Sequence, residues 1–308
     1  MQPEDGYYSF NRYLRNIFGE RVQKISVNAG FDCPNLDGKL SRDGCVYCSN
    51  SGFGLYAESI KSVEDQISES IKFYERRLGV RKFILYFQSF TNTYANLTVL
   101  QEKYDVIYKF PRIVGLFIAT RPDCVDEEKL KLIAKYQKKY LVWIEYGLQT
   151  TNNLILKAIN RNHTYEDFLK ILPLTRKYGI NVGLHLILGL PQATCEHMMN
   201  DAANISFLDI QGVKFHVLHI LKGTYLEKLY ANKEIKLLKL DEYVNIICDF
   251  LEKIPASIVI LRAVSDAFLD FLVAPLWISR KGAVIAEIHR ELKKRNTYQG
   301  YHFRRNNS

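Results

Sequence analysis

Apolar, β-branched runs alternate with helix-period segments along most of this 308-residue chain. After a first amphipathic helix, expected at about residues 7–18, six runs have strand character: RVQKISVNA, KFILYFQ, RIVGLFIAT, LVWIEYGLQ, INVGLHLILGL and GVKFHVLHIL. Strands that are apolar on both faces and are joined by helices form parallel sheets covered by those helices. The alternation therefore predicts an α/β fold whose sheet is either doubly wound or curled into a full or partial barrel.

The same pattern divides the chain into three expected parts: an N-terminal helix (1–20), a core of six βα units (21–226) and a C-terminal extension (227–308). The extension contains one more strand-like run, SIVILRA, and helices are expected around 239–254, 266–278 and 281–295. No linker rich in Pro, Gly or Ser precedes the extension, so we expect it to pack on the core.

Basic residues are concentrated at one end of the chain. The net charge is +9, from 42 Lys and Arg against 33 Asp and Glu, and residues 280–308 contain eight Lys or Arg against two Glu. Such a patch fits a polyanionic partner, because phosphate contacts and counterion release supply affinity that does not depend on sequence. A solvated tail that only aids solubility explains the same charge equally well.

The expected compartment follows from the start of the sequence and from the cysteines. The first twenty residues are polar and amphipathic, and no apolar run approaches the roughly 20 residues that span a bilayer. Six cysteines without regular spacing do not form a disulfide framework in a chain of this length. We therefore expect a cytoplasmic protein whose thiols are free to bind metal.

Three cysteines, Cys33, Cys45 and Cys48, lie in one loop directly after the first expected strand, where α/β barrels build active sites. A structural zinc site needs four ligands and disulfides need an even number, so three clustered thiols indicate an incomplete or deliberately open coordination sphere. A four-iron cluster held by three thiolates leaves one iron free for a small chelating ligand. Tyr47, between the last two cysteines, is expected to lie over such a cluster.

Two other classes of protein remain open at this point. A zinc-binding nucleic-acid module would explain the C-x-x-C pair and the basic end, but it needs a fourth ligand and does not need six βα units. An electron-transfer iron–sulfur protein would close its cluster with a fourth cysteine. Cys124, Cys195 and Cys248 lack cluster-like spacing, although a fold can bring distant residues together.

Polar side chains occur where the expected strands end. In the fourth strand Glu145 alternates with Gly147 and Gln149, so all three are expected to face the interior, where the glycine leaves room for a ligand. The alternative for Glu145 is a buried carboxylate paired with a barrel lysine. Thr120 and Arg121 end the third strand and are expected to contact cofactor or substrate, with an ion pair as the alternative for Arg121.

Three histidines, His185, His216 and His219, lie within apolar runs. A lone histidine in a strand is more often a satisfied core residue than a ligand, so we expect structural roles for them. The odd spacing of His216 and His219 predicts that they face opposite sides.

Several stretches, in order along the chain, resemble the radical S-adenosylmethionine (SAM) superfamily. The cysteine triad ends in C-x-aromatic-C, and its wide C-x11-C-x2-C spacing resembles the YtqA/YhcC-like branch, which is related to the elongator catalytic subunit. The further stretches are FQSFTNTY, IATRPDC, IEYGLQTTNN with INRNHT, LHLILGLP, KFHVLHILKGT, APLWISRKG and QGYHF. The resemblance covers nearly the whole chain and implies a partial (β/α)6 TIM-like barrel with a C-terminal α/β extension.

The resemblance implies a radical SAM enzyme in which Cys33, Cys45 and Cys48 bind a [4Fe–4S] cluster whose open iron chelates SAM. An electron from an external donor of the flavodoxin or ferredoxin type would then split SAM into methionine and a 5′-deoxyadenosyl radical, which removes a hydrogen atom from the substrate. The related elongator subunit acts on tRNA wobble uridines, so tRNA is the implied partner. A small-molecule substrate is the alternative.

The resemblance also implies roles for residues around SAM. Gln149 resembles the amide that binds ribose, and Arg161 resembles the arginine that pairs with the SAM carboxylate, which a planar guanidinium matches in shape. Gln88 and Ser89 occupy the place of the Gly-rich turn that presents carbonyls to the methionine amino group. The remaining expected cofactor contacts are Tyr47, Thr120 and Glu145.

Overall fold

The computed structural model describes residues 6–48, 61–266 and 269–303. Its α-helices are α1 (Phe10–Phe18), α2 (Val63–Leu78), α3 (Leu97–Asp105), α4 (Glu127–Ala134), α5 (Asn153–Ala158), α6 (Tyr165–Lys177), α7 (Cys195–Ser206), α8 (Tyr225–Ala231), α9 (Leu240–Lys253) and α10 (Lys281–Arg295). Its strands are β1 (Val22–Val27), β2 (Lys82–Phe87), β3 (Ile113–Thr120), β4 (Leu141–Gln149), β5 (Asn181–Leu188), β6 (Gly212–Val217), β7 (Ile220–Leu221), β8 (Val259–Arg262) and β9 (Leu272–Ala274).

Seven strands form one parallel sheet in the order β1-β2-β3-β4-β5-β6-β8, and this sheet curls into a half-barrel. The predicted α/β partial barrel is confirmed, and each of the six predicted runs contains a strand of this sheet. The seventh strand, β8, comes from the SIVILRA run and pairs with β6. The C-terminal residues therefore extend the sheet itself.

The structure differs from the sequence-based expectation at two places. The sixth predicted run is not one strand, because β6 ends at Val217 and β7 leaves the sheet to pair antiparallel with β9. The expectation of a helix over 266–278 is wrong, because its described part contains β9 and a short 3-10 helix, Leu276–Ser279. The ribbon between β7 and β9 supplies hydrogen bonds that override a weak helical pattern.

Alternate residues of β4 face the barrel interior. Along the strand, they place an aromatic, an acidic and a glycine residue at successive levels of the barrel. Trp143, nearest the amino end, packs against Phe117 of β3 and Tyr13 of α1, with ring centroids 5.6 and 5.5 Å apart. These aromatic rings close the amino-terminal end of the barrel. Glu145 follows at mid-height, and Gly147 lies nearest the carboxyl end, where the interior is open.

Helices cover the outer face of the sheet. Helix α2 begins after Ser62, whose hydroxyl accepts a hydrogen bond from the backbone N–H of Asp65. Helix α10 belongs to the packed layer and buries Val284, Ile288 and Leu292. None of the helices in the described ranges combines the length and the apolar composition needed to cross a bilayer.

Candidate active site

A cavity of about 600 Å³ lies at the carboxyl ends of the strands, a volume typical of small-molecule sites. Nine of the residues predicted to form the site line this cavity: Cys33, Cys45, Tyr47, Cys48, Gln88, Thr120, Glu145, Gln149 and Arg161. Ser89 is buried but does not line the cavity, whereas its neighbours Phe90 and Thr91 do. Apart from Ser89, the fold thus brings the predicted site residues together.

Two asparagines hold the cysteine loop against the loop after α5. Asn35 is 1% exposed and donates from Nδ2 to the Cys45 sulfur at 3.4 Å and to the Asn160 carbonyl at 2.7 Å. Asn160 donates in return to the Gly44 carbonyl at 2.6 Å, and its φ of 54° is a left-handed conformation that asparagine tolerates. Sequence reasoning missed both residues, and the one signal for Asn35 is its place inside the cysteine loop.

The three cysteine thiols face one cavity and act on one another electrostatically. Burial raises the pKa of the Cys48 thiol, and the sulfurs of Cys45 and Cys33 raise it further. Thiolates here therefore need positive partners, such as iron or the guanidinium of Arg161, whose Nη1 lies 3.7 Å from the Cys45 sulfur. A set of three soft thiolate donors fits an iron–sulfur cluster. Within the described ranges, no three His, Cys, Asp or Glu side chains are arranged to hold a single metal ion.

The other three cysteines lie elsewhere. Cys124 is buried beside Asp123, and the Cys248 sulfur lies in the core 3.8 Å from the Ile288 carbonyl oxygen. Cys195 is exposed at the start of α7. None of them lines the cavity in the part of the chain that the structure describes, so the described fold does not present a site closed by four cysteines.

The carboxyl end of β4 holds an arginine above a glycine. Arg161 donates from Nη2 and Nε to the Gly147 carbonyl at 2.7 and 3.2 Å. A Cβ on Gly147 would lie 2.7 Å from Arg161 Nη2 and 2.8 Å from Gln149 Nε2, so these two side chains use the space that the glycine leaves. The β4 register shifts between Tyr146 and Gln149, and Gln149 has a φ of 77°. This conformation costs roughly 1–2 kcal/mol for a residue other than glycine, and such strain is typical of functional sites.

Buried hydroxyl groups join the loops that follow β2 and β3. Thr120 Oγ1 lies 2.6 Å from Thr93 Oγ1, which also donates to the Cys124 carbonyl at 2.8 Å. Phe90 has a φ of 63°, a conformation that glycine adopts without strain. This backbone shape lies at the place where the resemblance implies a Gly-rich turn, and it leaves Gln88 lining the cavity.

Polar side chains from five strands form one connected group at mid-height, which we call the ionic layer: Lys24, Tyr86, Glu145, His185 and Lys214. The Glu145 carboxylate is fully buried at its centre. Oε1 accepts from Lys24 at 2.9 Å, and Oε2 lies 2.8, 2.6 and 3.2 Å from the donors of Tyr86, His185 and Lys214. Glu145 thus matches the alternative considered from the sequence, a buried carboxylate paired with barrel lysines.

Burial is the largest influence on the pKa values in the ionic layer. It lowers the pKa of Lys214 to about 7, although Glu145 acts to raise it. It lowers the pKa of His185 to about 4, with Lys214 as the next cause. Burial acts to raise the pKa of Glu145, but Lys214 and Lys24 together hold it well below its usual range. At neutral pH the carboxylate is therefore charged and His185 is neutral.

His216 and His219 both line the cavity. The expectation that they face opposite sides is wrong, because β6 ends at Val217 and the chain turns before His219. His219 Nδ1 lies 2.9 Å from the Val217 carbonyl oxygen, and the rings of His185 and His216 are 5.5 Å apart. Burial lowers the pKa of His216 and of His219, so both rings are neutral at neutral pH.

Two family profiles match the chain: the Radical SAM superfamily over residues 42–203 and the Radical_SAM C-terminal domain over residues 210–294. Protein YtqA of Bacillus subtilis (strain 168) is 37% identical over 305 residues, which are 98% of this chain and 94% of that protein. A tRNA uridine(34) acetyltransferase of Methanocaldococcus jannaschii is 30% identical over 139 residues, covering 44% of this chain and 25% of that protein. In fold, the chain is similar to an archaeal Elp3 from Methanocaldococcus infernus, with a TM-score of 0.65, 18% identity, and coverage of 90% of this chain and 64% of that chain.

Proposed function

The chain belongs to the radical SAM superfamily, whose enzymes use a [4Fe–4S] cluster and SAM, and from that premise we propose that it modifies the wobble uridine side chain of tRNA. In this proposal Cys33, Cys45 and Cys48 hold the cluster. The observation that carries the proposal is the single cavity that these thiols share with Gln149 and Arg161. When bound, the cluster and SAM supply a radical that abstracts a hydrogen atom, and the electron comes from a donor of the flavodoxin or ferredoxin type.

The protein's own task is to bind SAM in one orientation and to exclude water and stray hydrogen donors. Arg161 is suited to the first part because the Gly147 carbonyl fixes its guanidinium, so that Nη1 faces Cys45. Gln149 is suited because its strained backbone sets its amide beside the same glycine. We assign the methionine end of SAM to Arg161 and the ribose to Gln149.

A tRNA substrate is supported by similarity and by charge. The similarity to a tRNA uridine(34) acetyltransferase covers 44% of this chain. Among the described charged residues that line the cavity, cations outnumber carboxylates: these residues are Arg121, Arg161, Lys214, Arg262, Lys281, Glu145 and Asp266. A cavity with excess positive charge favours an anionic substrate over a neutral one.

The basic end of the chain has fewer free cations than its composition suggests. In and beside α10, carboxylates pair with four basic residues: Lys281 with Asp266, Arg290 with Glu287, Lys294 with Glu291, and Arg295 with Asp249. Arg280 and Lys293 have no ion pair among the described residues, while Arg304 and Arg305 lie outside them. We propose Arg280 and Lys293 as the phosphate contacts, because a paired cation must give up a carboxylate before it gains a phosphate.

Cluster binding is tested by replacing Cys33 with alanine and, as a matched control, the exposed Cys195 with alanine. After anaerobic reconstitution we expect the unsubstituted protein and Cys195→Ala to bind four iron and four sulfide per chain, by the ligand logic of such clusters. With dithionite as the electron donor, both should release 5′-deoxyadenosine from SAM, and Cys33→Ala should not. Release of 5′-deoxyadenosine by Cys33→Ala, or stoichiometric zinc without iron in the unsubstituted protein, contradicts the proposal.

Binding of tRNA is tested with substitutions, because truncation after Lys281 would remove buried core residues of α10. The double variant Arg280→Gln with Lys293→Gln should weaken binding and reduce the slope of log affinity against log salt by about 1–2, since two phosphate contacts are lost. The control is Arg290→Gln with Lys294→Gln, whose side chains are already paired. Equal slopes for the two double variants reject a role for these cations.

The substrate itself is tested by mass spectrometry of tRNA nucleosides from cells with and without the protein. We expect a wobble uridine derivative to accumulate in the cells that lack it, and expression of the unsubstituted chain to restore the normal nucleoside. Expression of Cys33→Ala should fail to restore it. Identical nucleosides in all of these cells would exclude tRNA and favour a small-molecule substrate for the same radical site.

A further inference from the structure

Arg121 directly follows β3, and a neighbouring carboxylate holds its guanidinium. Its Nε and Nη2 donate to the two oxygens of Asp123 at 2.9 and 2.8 Å. Pro122 begins the short 3-10 helix that places Asp123 in reach. The ion pair considered from the sequence is therefore present, and because it is bidentate it fixes the plane of the guanidinium.

The third nitrogen of this guanidinium is unused. Arg121 Nη1 is buried and has no hydrogen-bond partner among the described residues. The side chain is 2% exposed and lines the cavity that the cysteines share. A buried donor without a partner costs about 1–3 kcal/mol, more when it is charged, so an acceptor supplied by a ligand would stabilise this position.

Arg161, the residue that the resemblance assigns to the SAM carboxylate, already uses part of its donor capacity within the protein. Its Nε and Nη2 are used by the Gly147 carbonyl, and Nε also donates to His163 Nε2 at 2.9 Å. His163 Nε2 can accept this hydrogen bond in the tautomer with the proton on Nδ1, which lies 3.2 Å from the Thr164 carbonyl oxygen; Nε2 also lies 3.2 Å from the Gly147 carbonyl oxygen. Burial lowers the pKa of His163 to about 3, with the charges of Arg161 and Arg121 as the next causes. A second guanidinium beside Arg161 would let two side chains hold the same carboxylate.

The two guanidinium groups lie near one another, because both act on the pKa of His163. Asp123 pairs with Arg121, and the Cys45 sulfur lies 3.7 Å from Arg161 Nη1. In the proposed function, the methionine end of SAM, with its single carboxylate, would bind beside the cysteines. Resting on the proposed function, we propose that Arg121 Nη1 donates a hydrogen bond to the carboxylate of SAM, so that Arg121 and Arg161 share this group.

The proposal is tested by measuring equilibrium binding of SAM and of decarboxylated SAM to the reconstituted protein. The variant is Arg121→Met with Asp123→Asn, which removes the ion pair without leaving a buried charge behind. We expect its affinity for SAM to fall about 10–100-fold, the size of a charged hydrogen bond of about 1.5–3 kcal/mol. Its affinity for decarboxylated SAM should change less than about threefold, because the acceptor is absent from that ligand.

Two controls separate this result from a general loss of structure. The surface pair of Arg176 and Asp209, joined at 2.9 Å, is replaced in the same way and should leave both affinities unchanged. Iron content and thermal midpoint of each variant report on cluster and fold. Equal weakening for both ligands, or no weakening for either, overturns the assignment of Arg121. Failure of the unsubstituted protein to bind iron or SAM overturns the proposed function, and this inference with it.

Discussion

Replacing Glu145 by glutamine removes the negative charge of the ionic layer while keeping the size of the side chain. Lys214 and Lys24 then lose their carboxylate, and their side chains are only 2% and 17% exposed. Removing one partner of a buried ion pair costs about 3–5 kcal/mol. We expect a loss of this size in the free energy of unfolding, which is a large share of the about 5–15 kcal/mol typical of proteins.

The same substitution should cost less when Lys214 is absent. Lys214→Met alone should change the free energy of unfolding by about 0–2 kcal/mol, because it removes a buried cation and leaves Lys24 facing Glu145. In that background Glu145→Gln leaves only Lys24 unpaired, and its partly exposed amine can reach water, so the added cost should be about 1–2 kcal/mol. The two substitutions are therefore expected to be non-additive by about 2–3 kcal/mol, as contacting residues can be.

Urea unfolding of the four proteins under anaerobic, reducing conditions, followed by far-UV circular dichroism, measures this coupling. The matched control is Glu127→Gln, because Glu127 pairs with Lys177 at the surface, where the two side chains are 43% and 65% exposed. Glu127→Gln should lower the free energy of unfolding by less than about 1 kcal/mol. A coupling below about 0.5 kcal/mol, or equal losses for Glu145→Gln and Glu127→Gln, would refute the reasoning that charge holds the layer together.

The lowered pKa of Lys214, about 7 in the folded state, predicts that stability depends on pH. Above pH 7 the unfolded chain binds more protons than the folded chain. The free energy of unfolding should then rise by up to about 1.4 kcal/mol per pH unit from pH 7 towards pH 9. Lys214→Met should lack this rise. Parallel curves of stability against pH for the two proteins would contradict the prediction. Gly147→Ala should weaken SAM binding by about tenfold or more at unchanged iron content, because the new methyl group displaces Arg161 and Gln149. The control is Gly282→Ala, because no described atom lies within 4 Å of the added Cβ. It should leave SAM binding unchanged and stabilise α10 by up to about 1 kcal/mol. Equal SAM affinities for the two alanine variants would show that Gly147 does not position Arg161 and Gln149.

Local sequence predicts the strands because each strand of a covered parallel sheet is an apolar run between polar loops. It also predicts the place of the cysteine loop, since Cys33 follows β1 at the end where ligands bind. It fails over 266–278, because β9 takes its hydrogen bonds from β7, a partner that the local pattern does not reveal. It fails for His219 for the same reason, since the turn after Val217 depends on that ribbon.

Local sequence patterns do not predict which residues contact the site residues. Lys214 meets Glu145 across 69 positions and Tyr86 across 128 positions. Asn35 meets the Asn160 carbonyl across 125 positions. Alternation along β4 can place Glu145 in the interior, but it cannot distinguish a carboxylate that contacts a ligand from one that other strands surround. Only the assembled barrel decides between those alternatives.

The ionic layer and Arg121 differ in how far protein groups satisfy their polar atoms. Both oxygens of the Glu145 carboxylate accept hydrogen bonds from protein donors, and the Tyr86 hydroxyl is directed at one of them. Protein donors thus satisfy the carboxylate at the base of the cavity without water. This suits radical chemistry, which water and stray hydrogen donors would quench. By contrast, the buried Nη1 of Arg121 has no hydrogen-bond partner among the described residues. Trp143 Nε1 also lacks a partner among the described residues, but Arg121, unlike Trp143, lines the cavity. Since folded proteins satisfy most of their buried donors, we expect a ligand to contact the cavity wall at Arg121.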